Sequence, residues 1–367
     1  MKLFIYVLSL SIWISYARGN GNSGSFADMK FVNESFSKLY EIGREAYLDN
    51  DWDKCARLLE RSLEIYRRVQ QIQVYCRKKC RSKTVDLAEV YDLEDKFFSN
   101  IIAKALCLLK CKSEFQERYI DVASDTVLKK FHEMELYNYL HNCYYQKGDV
   151  ENAASAALTY LQANPDDRMI RTTLEFYLGD PYLKDASRVK SFAEKDHEDL
   201  FLRGVDAYEK KRDDQAITYM ELALKYFLEE EDECRILCEG AFDQGWFPDF
   251  ISSVANHYTY SLKCKQKCPI KLSYIKGDKK EHFLPNIYNY LQFSYYKAGN
   301  IEKACEAVET FLAFLPNDVD MLNNRRFYRD QPGVRKDWFN PRQEALDYIK
   351  RDQAEEALLS YIEREFK

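Results

Sequence analysis

Cysteine is the residue type whose spacing carries the most specific chemistry in this chain. Eleven cysteines are present, and eight of them form four CxxxC motifs, at Cys76/Cys80, Cys107/Cys111, Cys234/Cys238 and Cys264/Cys268. Side chains four residues apart in a helix lie on one face, one turn apart. Two such helices packed antiparallel are therefore expected to be joined by two disulfide bonds, like rungs. This pairing predicts Cys76–Cys111 with Cys80–Cys107, and Cys234–Cys268 with Cys238–Cys264.

Other pairings and other chemistry remain open for these thiols. A disulfide within a single CxxxC helix would be strained. Four cysteines could also bind zinc, although structural zinc sites usually have CxxC spacing. Cys55, Cys143 and Cys305 stand alone, and because the total is odd, at least one thiol is free or pairs with another molecule. We expect these three to be buried, unpaired cysteines in helix cores.

One histidine arrangement imitates a metal centre. His197-Glu198-Asp199, followed later by His257, has the order of the two histidines and one carboxylate that bind iron in oxygenases. Those ligands are held by a β-barrel, whereas the residues between the two histidines have a helical pattern. The chain also has no glycine-rich phosphate loop, GxSxG motif or HExxH motif. The sequence therefore predicts a protein with no catalytic residues, no metal site and no cofactor.

The chain contains two copies of one helical unit. Residues 137–177 match residues 288–328 at a constant offset of 151, and residues 39–66 match residues 200–227 at an offset of 161. Both copies have the aromatic, small-residue and terminal-proline pattern of TPR helix–turn–helix repeats. The predicted fold class is all-α: a TPR-like α-solenoid of two tandem duplicated helical units with CxxxC disulfide-stapled helix pairs.

The repeat also predicts unit limits and close helix contacts. We place the two units at residues 26–184 and 193–339, with one or two capping helices over residues 340–367. Because the offset falls from 161 to 151, the second copy has lost ten residues between the matched segments. Gly148 and Ala153 are expected where the two helices of a hairpin approach closely, since only small side chains fit there.

Composition limits the partners and the compartment. The net charge of −6 argues against nucleic acid as a partner, because phosphate binding needs a basic face. Lys2 and the apolar run at residues 3–14 predict a signal peptide over residues 1–19, and no later run is long enough to span a membrane. The cysteines would then lie in an oxidising lumen. Asn33 begins a glycosylation sequon and is a candidate glycosylation site.

These features together resemble the leprecan family. The four CxxxC motifs on a duplicated unit, with the paired YNYL…YY…G segments, carry the resemblance from Phe31 to Tyr348. Enzymes of that family add a C-terminal dioxygenase domain, for which 367 residues leave no room, so the resemblance implies a non-catalytic helper. It further implies residence in the endoplasmic reticulum lumen, with secretion to the extracellular matrix as a further destination. The implied partners are a prolyl 3-hydroxylase, a cyclophilin-type prolyl isomerase and procollagen chains.

Tyrosines of the two matching segments are candidates for binding such a client. Unfolded collagen chains favour polyproline II, which docks on aromatic-lined grooves. We single out Tyr139, Tyr145, Tyr290 and Tyr296, although most tyrosines of TPR-like repeats belong to the core. Two other functions remain open: a helper of a collagen lysyl hydroxylase complex, and a secreted TPR-like adaptor unrelated to collagen.

Overall fold

A computed structural model describes residues 34–85, 92–115, 123–242, 249–276 and 278–365 of the chain. Helices make up nearly all of the regular structure in these residues, which confirms the predicted all-α class. Within the same residues, none of the helices has the length and apolar character needed to cross a membrane. The predicted signal peptide at residues 1–19 and the candidate glycosylation site Asn33 lie outside the described residues.

The helices form two sets in the same order, followed by one long helix. The first set is α1 (Phe36–Leu48), α2 (Trp52–Cys80), α3 (Leu93–Ser113), α4 (Asp125–His132), α5 (Glu135–Gln146), α6 (Val150–Ala163) and α7 (Arg168–Leu178), with a 3₁₀ turn at Ala186–Arg188. The second set is α8 (Asp196–Glu209), α9 (Asp213–Leu237), α10 (Phe250–Lys265), α11 (Lys267–Leu272), α12 (Phe283–Lys297), α13 (Ile301–Phe314) and α14 (Val319–Arg329), with a 3₁₀ turn at Lys336–Trp338. The final helix is α15 (Gln343–Glu365).

The second copy is shorter around its cysteine-bearing helices. Helix α9 has 25 residues where α2 has 29, and a small hairpin stands between α11 and α12 where the first copy has α4. In that hairpin, β1 (Tyr274–Ile275) pairs antiparallel with β2 (Asp278–Lys279), with Tyr274 opposite Lys279. The unit limits at 26–184, 193–339 and 340–367 stay predictions.

Caps and turns between the helices repeat in the two copies. Asp149 caps α6 and Asn300 caps α13, and each side chain accepts a hydrogen bond at 3.2 Å from the backbone N–H three residues later. Gly148 and Gly299 precede these caps with φ angles of 79° and 81°. Glycine adopts this left-handed conformation without strain, so the Gly-Asp and Gly-Asn pairs explain the tight turns.

Gly148 is therefore a turn residue and does not lie at a close helix contact as expected, because a Cβ there would meet no heavy atom within 4 Å. The close contacts are at Gly43 in α1 and Gly204 in α8, which are equivalent residues. A Cβ at Gly43 would lie 2.8 Å from Leu59 Cδ2, and a Cβ at Gly204 would lie 2.8 Å from Met220 Cε. These two glycines let the helices of the first hairpin in each copy approach each other.

Each copy has its own hydrophobic core, and one hydrogen bond recurs in both. Tyr144 of α5 donates to Glu60 of α2 at 2.7 Å, and Tyr295 of α12 donates to Glu221 of α9 at 2.6 Å. Helix α5 thus packs on α2 as α12 packs on α9. This stacking of helical hairpins confirms the TPR-like α-solenoid.

Paired disulfides join α2 to α3, and α9 to the α10–α11 segment. Their Cα–Cα distances of 5.7 to 5.9 Å lie in the usual range for disulfides. Each pair of helices carries two bonds in antiparallel order, which confirms that CxxxC disulfides staple the helix pairs. The bonds are Cys76–Cys111, Cys80–Cys107, Cys234–Cys268 and Cys238–Cys264.

Cys55 and Cys143 are bonded to each other, so the expectation that both are free was wrong. The bond joins the first turn of α2 to α5 across 88 residues of sequence, with Cα atoms 6.3 Å apart. The second copy has Ala216 and Ser294 at the equivalent positions, and comparison of the copies therefore hides this bridge. Cys305 is buried and free, as expected.

The stapled helix pairs of the two copies pack against each other. Lys78 Nζ of α2 lies 2.9 Å from Glu233 Oε1 of α9, and Arg81 Nη2 lies 2.7 Å from Asp232 Oδ1. Arg77 donates to a backbone carbonyl at the end of α9. The most basic run of the first copy is therefore paired with an acidic run of the second.

Helix α15 covers the end of the second copy through charged contacts with α9. Arg342, just before α15, donates to both carboxylate oxygens of Glu221 at 2.9 and 2.6 Å. Arg351 donates at 2.8 Å to Glu231, whose side chain is buried and also lies 3.6 Å from Arg235. Residues 343–365 form one helix, where the sequence allowed one or two.

The bridge found in one copy only should make a measurable contribution to stability. For a loop of this length, the chain-entropy model assigns about 4 to 5 kcal/mol to a disulfide. We therefore expect the Cys55→Ala/Cys143→Ala variant to unfold at clearly lower urea concentration than the wild type under non-reducing conditions. The control is Cys305→Ala, which places alanine where the first copy has Ala154 and should cost about 1 kcal/mol. Equal unfolding midpoints for the double variant and the wild type would contradict this prediction.

Candidate interaction surface formed by two tyrosine rows

The tyrosines of the matching segments divide into core residues and surface residues. The helix period explains the division, because the two kinds lie on different faces of α5 and α12. The buried ones are Tyr137, Tyr144, Tyr288 and Tyr295. The partly exposed ones are the four singled out from the sequence, Tyr139, Tyr145, Tyr290 and Tyr296.

The first tyrosine row comprises two groups of ring contacts, one between α1 and α5 and one between α5 and α7. It consists of Tyr47, Tyr139, Tyr145, Phe176 and Tyr177. The rings of Tyr47 and Tyr139 meet edge-on with centroids 5.1 Å apart. The ring of Tyr145 contacts those of Tyr177 at 4.9 Å and Phe176 at 5.7 Å. The row thus links the first helices of two hairpins to α7.

The second tyrosine row repeats the first at equivalent positions in α8, α12 and α14. It consists of Tyr208, Tyr290, Tyr296, Phe327 and Tyr328. The Tyr208 and Tyr290 rings are 5.1 Å apart, and Tyr296 lies 5.2 Å from Tyr328 and 5.4 Å from Phe327. The structure therefore joins each pair of singled-out tyrosines to three further aromatic residues of the same copy.

Phe176 and Phe327 provide the most open aromatic surface of the rows. Their exposed fractions are 58% and 48%. Neither position was singled out from the sequence, and neither were Tyr47 and Tyr208. The signal that could have found them is the duplication itself, because an aromatic ring recurs at each of these positions in the second copy.

The first row has polar neighbours. Tyr139 Oη donates to Glu135 at 3.3 Å, and Tyr145 Oη donates to Asp180 at 3.4 Å. Asn142 Nδ2 donates to Tyr47 Oη at 3.1 Å. The hydroxyl edges of this row are therefore oriented by carboxylates and an amide.

The second row has more apolar neighbours. Phe293 stands where the first copy has Asn142, and its ring lies 5.5 Å from that of Tyr208. Lys297 Nζ lies over the Phe293 ring at 5.1 Å and over the Tyr296 ring at 6.0 Å. This ammonium can interact with both rings through cation–π attraction. The two rows therefore share a geometry but differ in polarity.

The phenols of Tyr139 and Tyr290 are neutral at physiological pH, because the pKa of each is raised. Burial raises the pKa of Tyr139, and the nearby Tyr40 and Glu135 raise it further. Burial also raises the pKa of Tyr290, with added repulsion from Tyr208 and Glu209. Neutral phenol rings offer an apolar face and a hydroxyl donor, which suits contact with apolar rings and backbone carbonyls together.

One hydrogen bond behind each row is made by different residues in the two copies. His141 Nδ1 lies 2.9 Å from Tyr177 Oη in the first copy. In the second copy Gln292 replaces His141, and its side-chain oxygen accepts from Tyr328. Burial lowers the pKa of His141 to about 4, so its imidazole is neutral at physiological pH and can accept this hydrogen bond.

The histidines that imitate a metal centre have other roles. His197 is fully buried, with Nδ1 2.7 Å from a Glu230 carboxylate oxygen and Nε2 2.8 Å from the Leu272 carbonyl. His257 Nε2 lies 2.9 Å from the Gly240 carbonyl. Both ring nitrogens of His197 are therefore occupied by contacts that hold α8 against α9 and α11.

The side chains closest to a metal-binding arrangement are cysteines. Among the described residues, the group that lies close enough to share an ion is Cys234, Cys238 and Cys268. All three are in disulfide bonds. Since the thiolate is the metal-binding form of cysteine, these sulfurs serve as staples in this structure.

Comparison with known proteins gives one consistent result. The sequence profile of the leprecan family TPR-like repeat region matches residues 35–332. Cartilage-associated protein of Mus musculus is 31% identical over 341 residues, covering 90% of this chain and 85% of that protein. Endoplasmic reticulum protein SC65 of Homo sapiens is 29% identical, covering 92% of this chain and 80% of that protein. Prolyl 3-hydroxylase 1 of Mus musculus is 30% identical, covering 88% of this chain but 46% of that protein.

The His141 contact predicts a pH dependence of stability. The pKa of His141 is lower in the folded state, about 4, than the value near 6.5 of an exposed histidine, so the unfolded chain binds more protons in this interval. The contribution of neutral His141 is therefore fully present above pH 6.5 and is lost as the pH falls towards 4. We expect a loss of about 3 kcal/mol from pH 7 to pH 4.

His141→Gln, which installs the residue of the second copy, should remove this part of the pH dependence. The reverse change, Gln292→His, should introduce a similar dependence in the second copy and serves as the matched control. Urea unfolding at a series of pH values measures both effects. Identical pH profiles for the wild type and His141→Gln would contradict the assignment.

Proposed function

Since the chain belongs to the leprecan family, we propose that it is a non-enzymatic helper of a collagen prolyl 3-hydroxylation complex in the endoplasmic reticulum. In this proposal it binds a prolyl 3-hydroxylase and a cyclophilin-type prolyl isomerase and assists the modification and folding of procollagen. Five disulfides in one chain are consistent with an oxidising compartment such as this lumen. The signal peptide at residues 1–19 and glycosylation of Asn33 belong to the same proposal.

The observation that carries the helper role is how much of each relative the similarity covers. It spans 85% of the mouse cartilage-associated protein but 46% of the mouse prolyl 3-hydroxylase 1. The similarity to the hydroxylase thus covers less than half of that enzyme. A helical scaffold is also what the described residues form.

The tyrosine rows are the surface that we assign to the procollagen client. An extended polyproline II chain presents proline rings and free backbone carbonyls, because this helix has no internal hydrogen bonds. Proline rings can pack on half-exposed phenol and phenyl rings, and the carbonyls can accept from tyrosine hydroxyls. In each copy the row offers an open ring, at Phe176 and Phe327. In the first copy the hydroxyl that can donate to a client carbonyl is that of Tyr47, whose oxygen accepts from Asn142, because Tyr139 and Tyr145 already donate to carboxylates.

Two alternative functions differ from the proposed one in the proteins that the chain would bind. A helper of a collagen lysyl hydroxylase complex would use the same rows with a different enzyme. A secreted TPR-like adaptor unrelated to collagen would use the same fold and no collagen client. Both alternatives keep the disulfides and the repeat, so binding experiments decide between them.

Affinity purification from secretory cells tests the assigned complex. We expect the tagged chain to retain a prolyl 3-hydroxylase and a cyclophilin, identified by mass spectrometry of the eluate. The tagged row variant Phe176→Ala/Phe327→Ala is the matched sample, and it should retain both enzymes while losing procollagen. Recovery of a lysyl hydroxylase instead would favour the first alternative, and recovery of no collagen-modifying enzyme would favour the second.

Direct binding tests the rows themselves. Phe176→Ala and Phe327→Ala remove exposed rings and should leave folding intact, whereas binding of a proline-rich collagen-type peptide should weaken about tenfold for each row, or about 1.4 kcal/mol. Tyr139→Phe and Tyr290→Phe should weaken binding less, because they remove a hydroxyl and keep the ring. Tyr75→Ala and Tyr361→Ala, at exposed tyrosines outside the rows, are the controls. Unchanged affinity in the row variants would exclude the rows as the client surface.

A further inference from the structure

Helix α3 carries a long apolar face that the described residues leave exposed. Ile102, Leu106 and Leu109 follow one another at helical spacings of four and three residues, and their exposed fractions are 58%, 61% and 67%. Only Cys111 is buried in a helix of 21 residues, which spans about 30 Å. Contiguous apolar surface of this size is rare on a monomeric soluble protein and usually marks an interaction site.

The acidic and basic residues of α3 lie at opposite ends of the helix, and a partner must have complementary charges at both ends. The acidic residues at the beginning of the helix are Asp92, Glu94 and Asp95. Lys96 is the one basic residue among them. Basic residues stand in the second half of the helix: Lys104, Lys110 and Lys112. Glu114, which follows the helix, is already paired with Lys79 at 3.0 Å. The helix therefore has an acidic end, an apolar middle and a basic end.

The same surface continues onto α10 at the acidic end. The rings of Phe98 in α3 and Phe250 in α10 are 5.4 Å apart, where the two copies meet. Phe250 and Ile251 are 56% and 66% exposed, and Asp249 caps α10. The acidic end of α3 is thus extended by a further apolar patch and a further carboxylate.

We propose that α3 pairs antiparallel with α3 of a second copy of this chain, across a two-fold axis near Ile102. In an isologous contact, each residue near one end of the helix faces a residue near the other end of its copy. The acidic end of each α3 then faces the basic end of the other, while Ile102, Leu106 and Leu109 are buried between them. A parallel pair would bring like charges together, so the charge pattern selects the antiparallel arrangement.

The position of α10 supports the same arrangement. Because α10 begins beside the acidic end of α3, the basic end of the second α3 also approaches Asp249 and the exposed ring of Phe250. The dimer is independent of the proposed collagen role, since it uses none of the residues of the tyrosine rows. It leaves both rows of each copy available.

A charge exchange tests the pairing. Glu94→Lys/Asp95→Lys makes both ends of α3 basic, and Lys110→Glu/Lys112→Glu makes both ends acidic. We expect the oxidised wild-type chain to sediment as a dimer at micromolar concentration and each variant alone to dissociate at least tenfold more readily. An equimolar mixture of the two variants should form a heterodimer, because acidic and basic helices then face each other.

Two further variants distinguish loss of the α3 contact from an effect of net charge alone. Asp320→Lys in α14, combined with Asp330→Lys just after it, changes the net charge as much as Glu94→Lys/Asp95→Lys does, but away from α3, and should remain dimeric. Ile102→Asp places a carboxylate at the centre of the contact and should be monomeric while its helices and disulfides are retained. Circular dichroism and non-reducing peptide mapping establish that every variant keeps its helices and disulfides.

Two results would overturn the proposed dimer, and they can be told apart. A wild-type chain that stays monomeric overturns the proposal. If Ile102→Asp then lowers the stability of that monomer, the face is covered from within the chain, and if it does not, the face serves a different protein. A wild-type dimer that survives both charge variants and Ile102→Asp also overturns the proposal, because its contact must lie elsewhere.

Discussion

The contact between the two disulfide-stapled helix pairs is the constraint on which the rest of the molecule depends. Each staple closes loops of 26 to 35 residues and fixes two antiparallel helices in one register. The ion pairs between α2 and α9 are largely exposed, and such pairs contribute little individually. Lys78 and Arg81 stand beside Cys76 and Cys80, and Asp232 and Glu233 stand beside Cys234. The two copies therefore meet at the ends of α2 and α9 that are cross-linked.

The two copies show which contacts the fold requires and which it can replace. Both copies keep a Tyr–Glu hydrogen bond between α5 and α2, or α12 and α9, and a glycine at a close helix contact. By contrast, the first copy joins α2 to α5 with the Cys55–Cys143 bond, while the second has Ala216 and Ser294 and instead uses Arg342 to bind Glu221. The first copy is thus fixed by a covalent bond where the second is fixed by a buried charge and a following helix.

This difference also explains what the sequence could predict. The stapled pairs follow from helix geometry, because CxxxC places two sulfurs on one face and each helix has a nearby partner in the chain. The Cys55–Cys143 bond has no such local signal, since it depends on how α5 packs on α2 in three dimensions. The positions of Tyr139 and Tyr145 were predicted from the repeat, but their half-buried state depends on Tyr47 and Phe176, which come from other helices.

Tyrosine content alone would not identify a binding surface in this protein. Tyr144 and Tyr295 have the same side chain as the row residues, but they are buried, and each donates a hydrogen bond to a glutamate of the neighbouring helix. Phe176 and Phe327 are more informative, because an exposed phenyl ring forms no hydrogen bond and contributes little to the core when half of it meets water. Each of these rings also contacts a row tyrosine, Tyr145 or Tyr296, so it extends a cluster of rings and does not stand alone on the surface. Clustering of exposed rings, repeated in both copies, is what distinguishes the rows from the scattered apolar side chains of any protein surface.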